Sequence, residues 1–414
     1  MLARCQMLYE RWTEIRDERR DQLALRHPDV TGGWTFGQLQ AEAEKIDLPA
    51  SGPVIANGDS AGFIPTVIAA WAQRRPVLIQ EQQKQEPLPI RAEIPDDIAL
   101  IKQSCGASGV ERSLFYGETR LLAEGMRNIH ALEQLGVTSD CRSLGAISLA
   151  HSYGFGCLVL PLLLAGIPLD VLSGPLPMFV QQGLDRGPEK SFFLPGVPAL
   201  WKTWWLTKIL AHPSIKVALS AGAPLSLELE QGVWNDAGLK IHNFYGTGET
   251  GAVTCDFTSE PRGEASLIGT MLPGVDVMTA EDGRICVRTD ATARFADKLL
   301  GSDEFSEDYY RTMDLGEVRG KEVHWHDHCG EAINVAGRKV SPAKIARACM
   351  SLTGVLEAKV SSVRSRDFER FEEVKIAVRL APGCDLKQLK QHASEQLDSW
   401  EVPRHWEVLD STQP

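Results

Sequence analysis

The sequence predicts an α/β fold: a large layered α/β N-terminal domain over residues 1–330 and a small α+β C-terminal domain over residues 331–414. Three observations predict it. Along most of the chain, segments of helical period alternate with short apolar runs, the pattern of helices layered on mostly parallel strands. From Gly283 the pattern becomes strand-rich. The remaining stretch of about 80 residues reads helix, strand, strand, helix, strand, which suits a separate unit.

The elements follow in order. Residues 61–74 form an apolar helix for packing on a sheet, and 76–80 the strand after it. The Pro-rich, charged stretch 85–97 is a loop. A strand over 98–103 ends in Ser104-Cys105-Gly106-Ala107-Ser108-Gly109, and 118–135 has helical period. Strands over 143–149, 169–172, 191–194 and 217–219 alternate with helix, including one near 156–165. Strands over 284–288 and 322–325 follow. The tail then runs helix 342–352, strands 355–363 and 374–380, helix 386–397 and strand 405–409.

Composition narrows the function. With 414 residues, 43% hydrophobic and 24% charged, the chain is long enough for a sizeable core. A net charge of -12 argues against nucleic acid and anionic membrane, whose phosphates would repel it. The apolar run 158–167 is interrupted by Pro161 and Gly166 and is too short to span a bilayer. Nine cysteines are scattered without a close pair, as in reduced cytoplasmic proteins. Charges at Arg4, Glu10, Arg11, Glu14 and Arg16 leave no apolar signal core, so a cytoplasmic location is expected.

Two runs carry the chemistry. In Asn243-Phe244-Tyr245-Gly246-Thr247-Gly248-Glu249-Thr250-Gly251 an apolar strand opens into a glycine-rich turn. A planar ligand would stack on Tyr245, a phosphate would approach bare backbone, and Glu249 would hold a hard cation such as Mg²⁺. In Tyr310-Arg311-Thr312-Met313-Asp314-Leu315-Gly316, Asp314 is placed to accept from vicinal ribose hydroxyls. The glycines of Ser104 to Arg112 let N–H groups reach an anion, although an empty tight turn accounts for that run equally well. His151 ends an apolar strand, and Ser220-Ala221-Gly222-Ala223-Pro224-Leu225 is a small-residue turn. His324, His326 and His328 alternate on a strand, and zinc there would need a further ligand such as Cys329.

Taken in this order, the runs resemble the adenylate-forming family of acyl-CoA and aryl-CoA synthetases, adenylation domains and luciferases. The resemblance extends from Trp34 to Leu409. It implies that Gly106, Ser108, Gly109 and Arg112 belong to the phosphate loop, with Cys105 and Ala107 in place of two hydroxyl residues. It implies that His151 borders the carboxylate pocket and that Gly222 and Ala223 floor the adenine and acyl sites. Tyr245 would stack on adenine, Glu249 would hold Mg²⁺, and Asp314 would bind ribose. Gly248 stands where relatives have a phosphate-binding threonine, with the Thr247 hydroxyl nearby. His328 stands for the family's arginine, Gly330 for its hinge, and Lys339 offers a cation within I-N-V-A-G-R-K-V. The sequence stops at Pro414, short of the family's terminal lysine, so it reads as a divergent member with a shortened C-terminus and slow or partner-assisted adenylation.

The activity implied is a carboxylic acid:thiol ligase. ATP and a small acyl or aryl acid would give acyl-AMP, and a phosphopantetheine thiol of an acyl carrier protein or CoA would displace AMP. The altered positions leave two alternatives: a nucleotide-binding scaffold or regulator without efficient adenylation, or an enzyme using preformed acyl-AMP.

Overall fold

The computed structural model describes residues 7–81, 90, 93–105, 111–186, 191–295, 305–306, 309–328, 333–352, 354–365, 372–381 and 385–409. Two sheets make the large unit. In the smaller, Val54–Asn57, Val77–Gln80 and Ile98–Cys105 run parallel, and Glu111–Gly117 turns back antiparallel on Ile98–Cys105. The sequence places the glycine run ahead of a helical segment. A strand in fact intervenes, and the helix Glu118–Gln134 follows it.

The larger sheet has two halves of different character. Leu23–Arg26, Leu169–Val171, Arg142–Gly145, Phe192–Gly196, Ile215–Ser220 and Ile241–Thr247 are parallel neighbours. Beyond Ile241–Thr247 every pairing is antiparallel, through Gly251–Cys255, Leu267–Met271, Glu322–His328, Tyr309–Arg319, Arg284–Thr289 and Val275–Thr279. The expectation of mostly parallel strands therefore holds for only one half. The strand-rich region also begins at Ile241, well before Gly283. The cause is local: a tight turn over 248–250 returns the chain at once, where a parallel neighbour would need a long crossover. Gly246 has to be glycine, because a Cβ there would lie 2.4 Å from the Gly251 carbonyl oxygen.

Buried helices join the sheets. Phe63–Ala72 is buried on nearly every side, as its uniform apolarity requires. The run 152–165 begins helical at Ser152, widens into a π-turn over Phe155–Val159, and continues as Leu160–Ala165. Left-handed Gly166 ends it. The wider turn accommodates Pro161, whose missing N–H and ring would otherwise break the helix. The strand expected over 143–149 stops at Gly145, and the chain then loops to His151.

From Ile333 onward the described residues have their own core of Ile333, Val335, Val340, Ile345, Cys349, Val374, Ile376, Val378 and Leu389. Val355–Arg364 and Glu372–Leu380 are antiparallel, and His405–Val408 adds parallel to the latter. Pro342–Met350 is capped by the Ser341 hydroxyl, which accepts from Lys344 N–H. Ahead of it, Ile333–Val335 and Arg338–Val340 form a two-residue hairpin. Its turn residues, Ala336 and Gly337, both have positive φ, the primed geometry such loops need.

Candidate active site

The parallel strands deliver the chemistry at their C-terminal ends, where open α/β sheets hold ligands. His151 lies beyond Arg142–Gly145, Gly222 beyond Ile215–Ser220, and Tyr245 within the end of Ile241–Thr247. Asp314 reaches the same place from the antiparallel half, in the middle of Tyr309–Arg319.

Asp314 is the centre of a buried polar group. Its Oδ2 accepts from the Tyr245 hydroxyl at 2.8 Å. Its Oδ1 accepts from Trp325 Nε1 at 3.2 Å and lies 3.0 Å from His328 Nδ1. Strand register brings this about, since Asp314 pairs with His328 and Gly316 with Trp325. The Thr312 hydroxyl accepts from the Asp314 N–H and donates to the Ile285 carbonyl, which fixes the backbone behind the carboxylate. Burial, with the Asp314 charge adding to it, pushes the Tyr245 phenol well above its usual range, so it remains a donor. His328 Nε2 is buried and has no hydrogen-bond partner among the described residues. An additional polar ligand atom would satisfy it.

The turn after Tyr245 is held by its own hydroxyls. Thr247 Oγ1 accepts from the Thr250 N–H at 3.1 Å and lies 3.0 Å from Thr250 Oγ1. Thr247 is therefore committed to shaping the turn, and a phosphate would share its hydroxyl with Thr250. Glu249 is half-exposed, and its carbonyl accepts from Ala293 N–H. Among the described residues no side chain hydrogen-bonds its carboxylate. That fits Mg²⁺, which uses one or two protein carboxylates together with substrate phosphates and water. Gly248 is not required by the backbone: a Cβ there would meet only ordinary contacts at 3.7 Å, with Leu114 and Ser152.

His151 caps the run that starts at Ser152, its Nδ1 accepting from the Tyr153 N–H at 3.3 Å. The neutral imidazole then carries its proton on Nε2. Burial lowers the His151 pKa; Glu81 opposes this, and Arg338 and Lys102 add to it. Tyr153 donates to the Leu219 carbonyl at 2.7 Å and stacks on Phe244, forming a wall beside it.

The hairpin of the small unit closes this side. Gly222 has φ +84°, and a Cβ on it would lie 3.5 Å from both Cα and O of Gly337. Asn334 Nδ2 donates to the Gly222 carbonyl at 3.4 Å. Arg338 pairs with Glu81 and lies 3.8 Å over the Trp400 ring. Ala223, next to Gly222, is partly exposed.

The structure brings His151, Gly222, Ala223, Tyr245, Thr247, Glu249, Asp314 and His328 to the ends of these strands. Gly106, Ser108, Gly109 and the expected hinge Gly330 lie outside the described residues, as do the side chains of Arg112 and Lys339. Trp325, Glu81 and Arg338 were missed from sequence. Strand alternation sets Trp325 on the face opposite His328, and only the register shift between Leu315 and Gly316 brings both to Asp314. Glu81 and Arg338 are 257 positions apart, and no local pattern links them. The three histidines have separate partners: His324 contacts Ser266, His326 faces Glu317, and His328 faces Asp314.

The model of the AMP-binding enzyme family matches residues 61–294. The chain is 25% identical to a methyl-dioxo-octahydro-indenyl-propanoyl:CoA ligase of Rhodococcus jostii, over 91% of this chain and 73% of that one. It is 26% identical to a 4-hydroxybenzoate–CoA/benzoate–CoA ligase of Rhodopseudomonas palustris, over 89% and 70%. Among solved structures, o-succinylbenzoate CoA synthetase of Bacillus subtilis superposes with a TM-score of 0.81 at 16% identity, covering 97% of this chain and 94% of that one. A malonyl-CoA ligase superposes at 0.78 with 19% identity, covering 95% and 97%.

Proposed function

The chain belongs to the AMP-binding enzyme family, and from that premise we propose that it is an acyl- or aryl-CoA ligase working through an adenylate. The convergence of His151, Gly222, Tyr245 and Asp314 at one end of the sheet carries this proposal. The two relatives named above, both CoA ligases of ring-bearing acids, support it.

In the first step a carboxylate oxygen attacks the α-phosphorus of ATP and pyrophosphate leaves. Tyr245 offers its ring face to adenine, while Asp314 accepts from the ribose hydroxyls in exchange for part of its present network. His328 Nε2 offers a polar atom to the ribose or α-phosphate. Mg²⁺ held by Glu249 would neutralise charge on the phosphates. Neutral His151 donates from Nε2 to the carboxylate and later to the carbonyl oxygen, a charge-stabilising role. The family resemblance assigns Lys339 and Arg112 as further cations for the phosphates. In the second step the thiol sulfur attacks the acyl carbon and AMP leaves. Gly222 and Gly337, with no side chains, let the two units meet closely beside the reacting groups.

CoA is the thiol named for the relatives, and a carrier-protein phosphopantetheine ends in the same group. The test is pyrophosphate exchange with ATP across a panel of aromatic and aliphatic acids, followed by thioester formation with CoA and with pantetheine. Acid-dependent exchange and CoA thioester are expected. AMP binding with no exchange for any acid would replace the ligase with a nucleotide-binding scaffold.

A further inference from the structure

Beneath the turn that carries Glu249 lies a charge for which the two steps above have no use. Lys102, on Ile98–Cys105, is 4% exposed, and Glu124, on Glu118–Gln134, is 2% exposed. Their closest approach, Nζ to Oε1, is 3.7 Å, too long for a hydrogen bond. Among the described residues, Lys102 Nζ and Glu124 Oε2 have no hydrogen-bond partner. Lys102 Nζ lies 4.5 Å from the centroid of the Tyr116 ring. Tyr116, buried on Glu111–Gly117, donates its hydroxyl to the Gly248 carbonyl. Glu124 packs on the other end of the same turn, where a Cβ on Gly251 would lie 3.0 Å from Glu124 Cγ.

A buried ion pair without hydrogen bonds is a poor source of stability, because desolvation outweighs the attraction. Apolar side chains of similar volume would fill this space at less cost. What the charge does reach is Tyr116. A cation over the ring face is attracted by its π electrons and draws density from the phenol, which strengthens its O–H as a donor. Burial, then Glu124 and Glu249, hold the Tyr116 pKa well above its usual range, so the proton stays in place. A fixed Gly248 carbonyl fixes the planar peptide into Glu249, and with it the direction of the Glu249 N–H and the position of its Cα.

On the adenylate-forming reading above, we propose that Lys102 is a positioning residue. Acting through Tyr116, it locks the Gly248 carbonyl inward and holds the Glu249 turn in the form that receives the nucleotide phosphates. Glu124 faces the ammonium and supports the far end of the turn.

The test uses Tyr116→Phe, the charge-neutral double variant Lys102→Met with Glu124→Gln, their combination, and Lys102→Arg, all in the full chain. Amide hydrogen exchange over 246–252 is the first readout. Tyr116→Phe and the double variant should each speed exchange there about tenfold, with the helix 118–134 unchanged. The kcat for pyrophosphate exchange should fall by about 10- to 100-fold while KM for the acid holds, since small misplacements act on the transition state. The combination should be no worse than Tyr116→Phe alone, and Lys102→Arg should keep the turn protected. The melting temperature of the double variant should hold or rise. Wild-type exchange and kcat in the double variant would overturn the proposal and leave Lys102 a packing residue. An inactive wild-type protein would sink the ligase reading, and amide exchange would still decide the role of Lys102.

Discussion

The Tyr245 hydroxyl donates to Asp314 across 2.8 Å, linking the last parallel strand to the antiparallel half of the sheet. The candidate adenine-facing ring and the candidate ribose-binding carboxylate are therefore one mechanical unit, and perturbing either should be felt at both.

Asp314→Asn keeps the shape and removes the charge. It should weaken AMP binding by about 10- to 100-fold, the range for a hydrogen bond to a charged group. Tyr245→Phe removes only the linking hydroxyl and should cost less, about 1 kcal/mol of stability. Calorimetric titration with AMP and denaturant melts check both. Unchanged AMP affinity in Asp314→Asn would remove Asp314 from the nucleotide site.

His151 gives a pH dependence with a definite sign. Burial depresses its folded pKa below the ordinary 6.5, so the unfolded chain binds a proton that the folded chain resists. Its contribution to stability is complete above about pH 6.5 and is lost as pH falls towards the folded value. His27 and His242, also depressed by burial, add to the same slope. His151→Asn keeps a capping acceptor without a titrating ring. Chemical denaturation between pH 5 and 7, a window around the ordinary histidine pKa, should show a shallower slope for this variant.

Arg338 and Glu81 fasten the hairpin of the small unit to the large one. Arg338→Ala should lower thioester formation from supplied acyl-AMP more than it lowers AMP affinity. Exchanging the charges, Glu81→Arg with Arg338→Glu, should recover part of the loss. Equal damage to both measurements would mean that the pair serves only the fold.

A buried network of Lys240, Glu230, Arg262 and Asp256 braces the small-residue floor, with Arg262 Nη2 donating to the Leu225 carbonyl at 2.7 Å. Glu230→Ala would strand the buried Arg262 and leave Lys240 with Asp256 alone, and should cost about 3–5 kcal/mol by urea denaturation. Because Leu225 follows Gly222 and Ala223 closely, acid affinity should fall as well.

Strong periodicity made much of this fold readable from residues. The helix expected over 118–135 is Glu118–Gln134, and the tail's order of elements is as expected. Strand direction was harder, because parallel and antiparallel strands share one alternation, and only the turn at 248–250 separates them. Among site residues, Tyr245, Glu249 and Asp314 stood out because glycines or aromatics flank them. Lys102, Glu124 and Tyr116 gave no such sign. Within an apolar strand a lone lysine looks like an exposed edge position, and only the three-dimensional structure reveals that it is buried.

The contact of Gly222 with Gly337 runs from main chain to main chain. Such a junction is indifferent to the side chains that surround it, so the two halves of the molecule can keep meeting while their neighbours change. Ala223, beside this junction and partly exposed, can drift in size while Val197, which lies against both glycines, keeps the fit. On the proposed ligase reading, the scaffold would separate, in evolutionary terms, the question of which acid is chosen from the question of how the enzyme closes. A lineage could then explore new acids one substitution at a time, each intermediate still closing around its substrate.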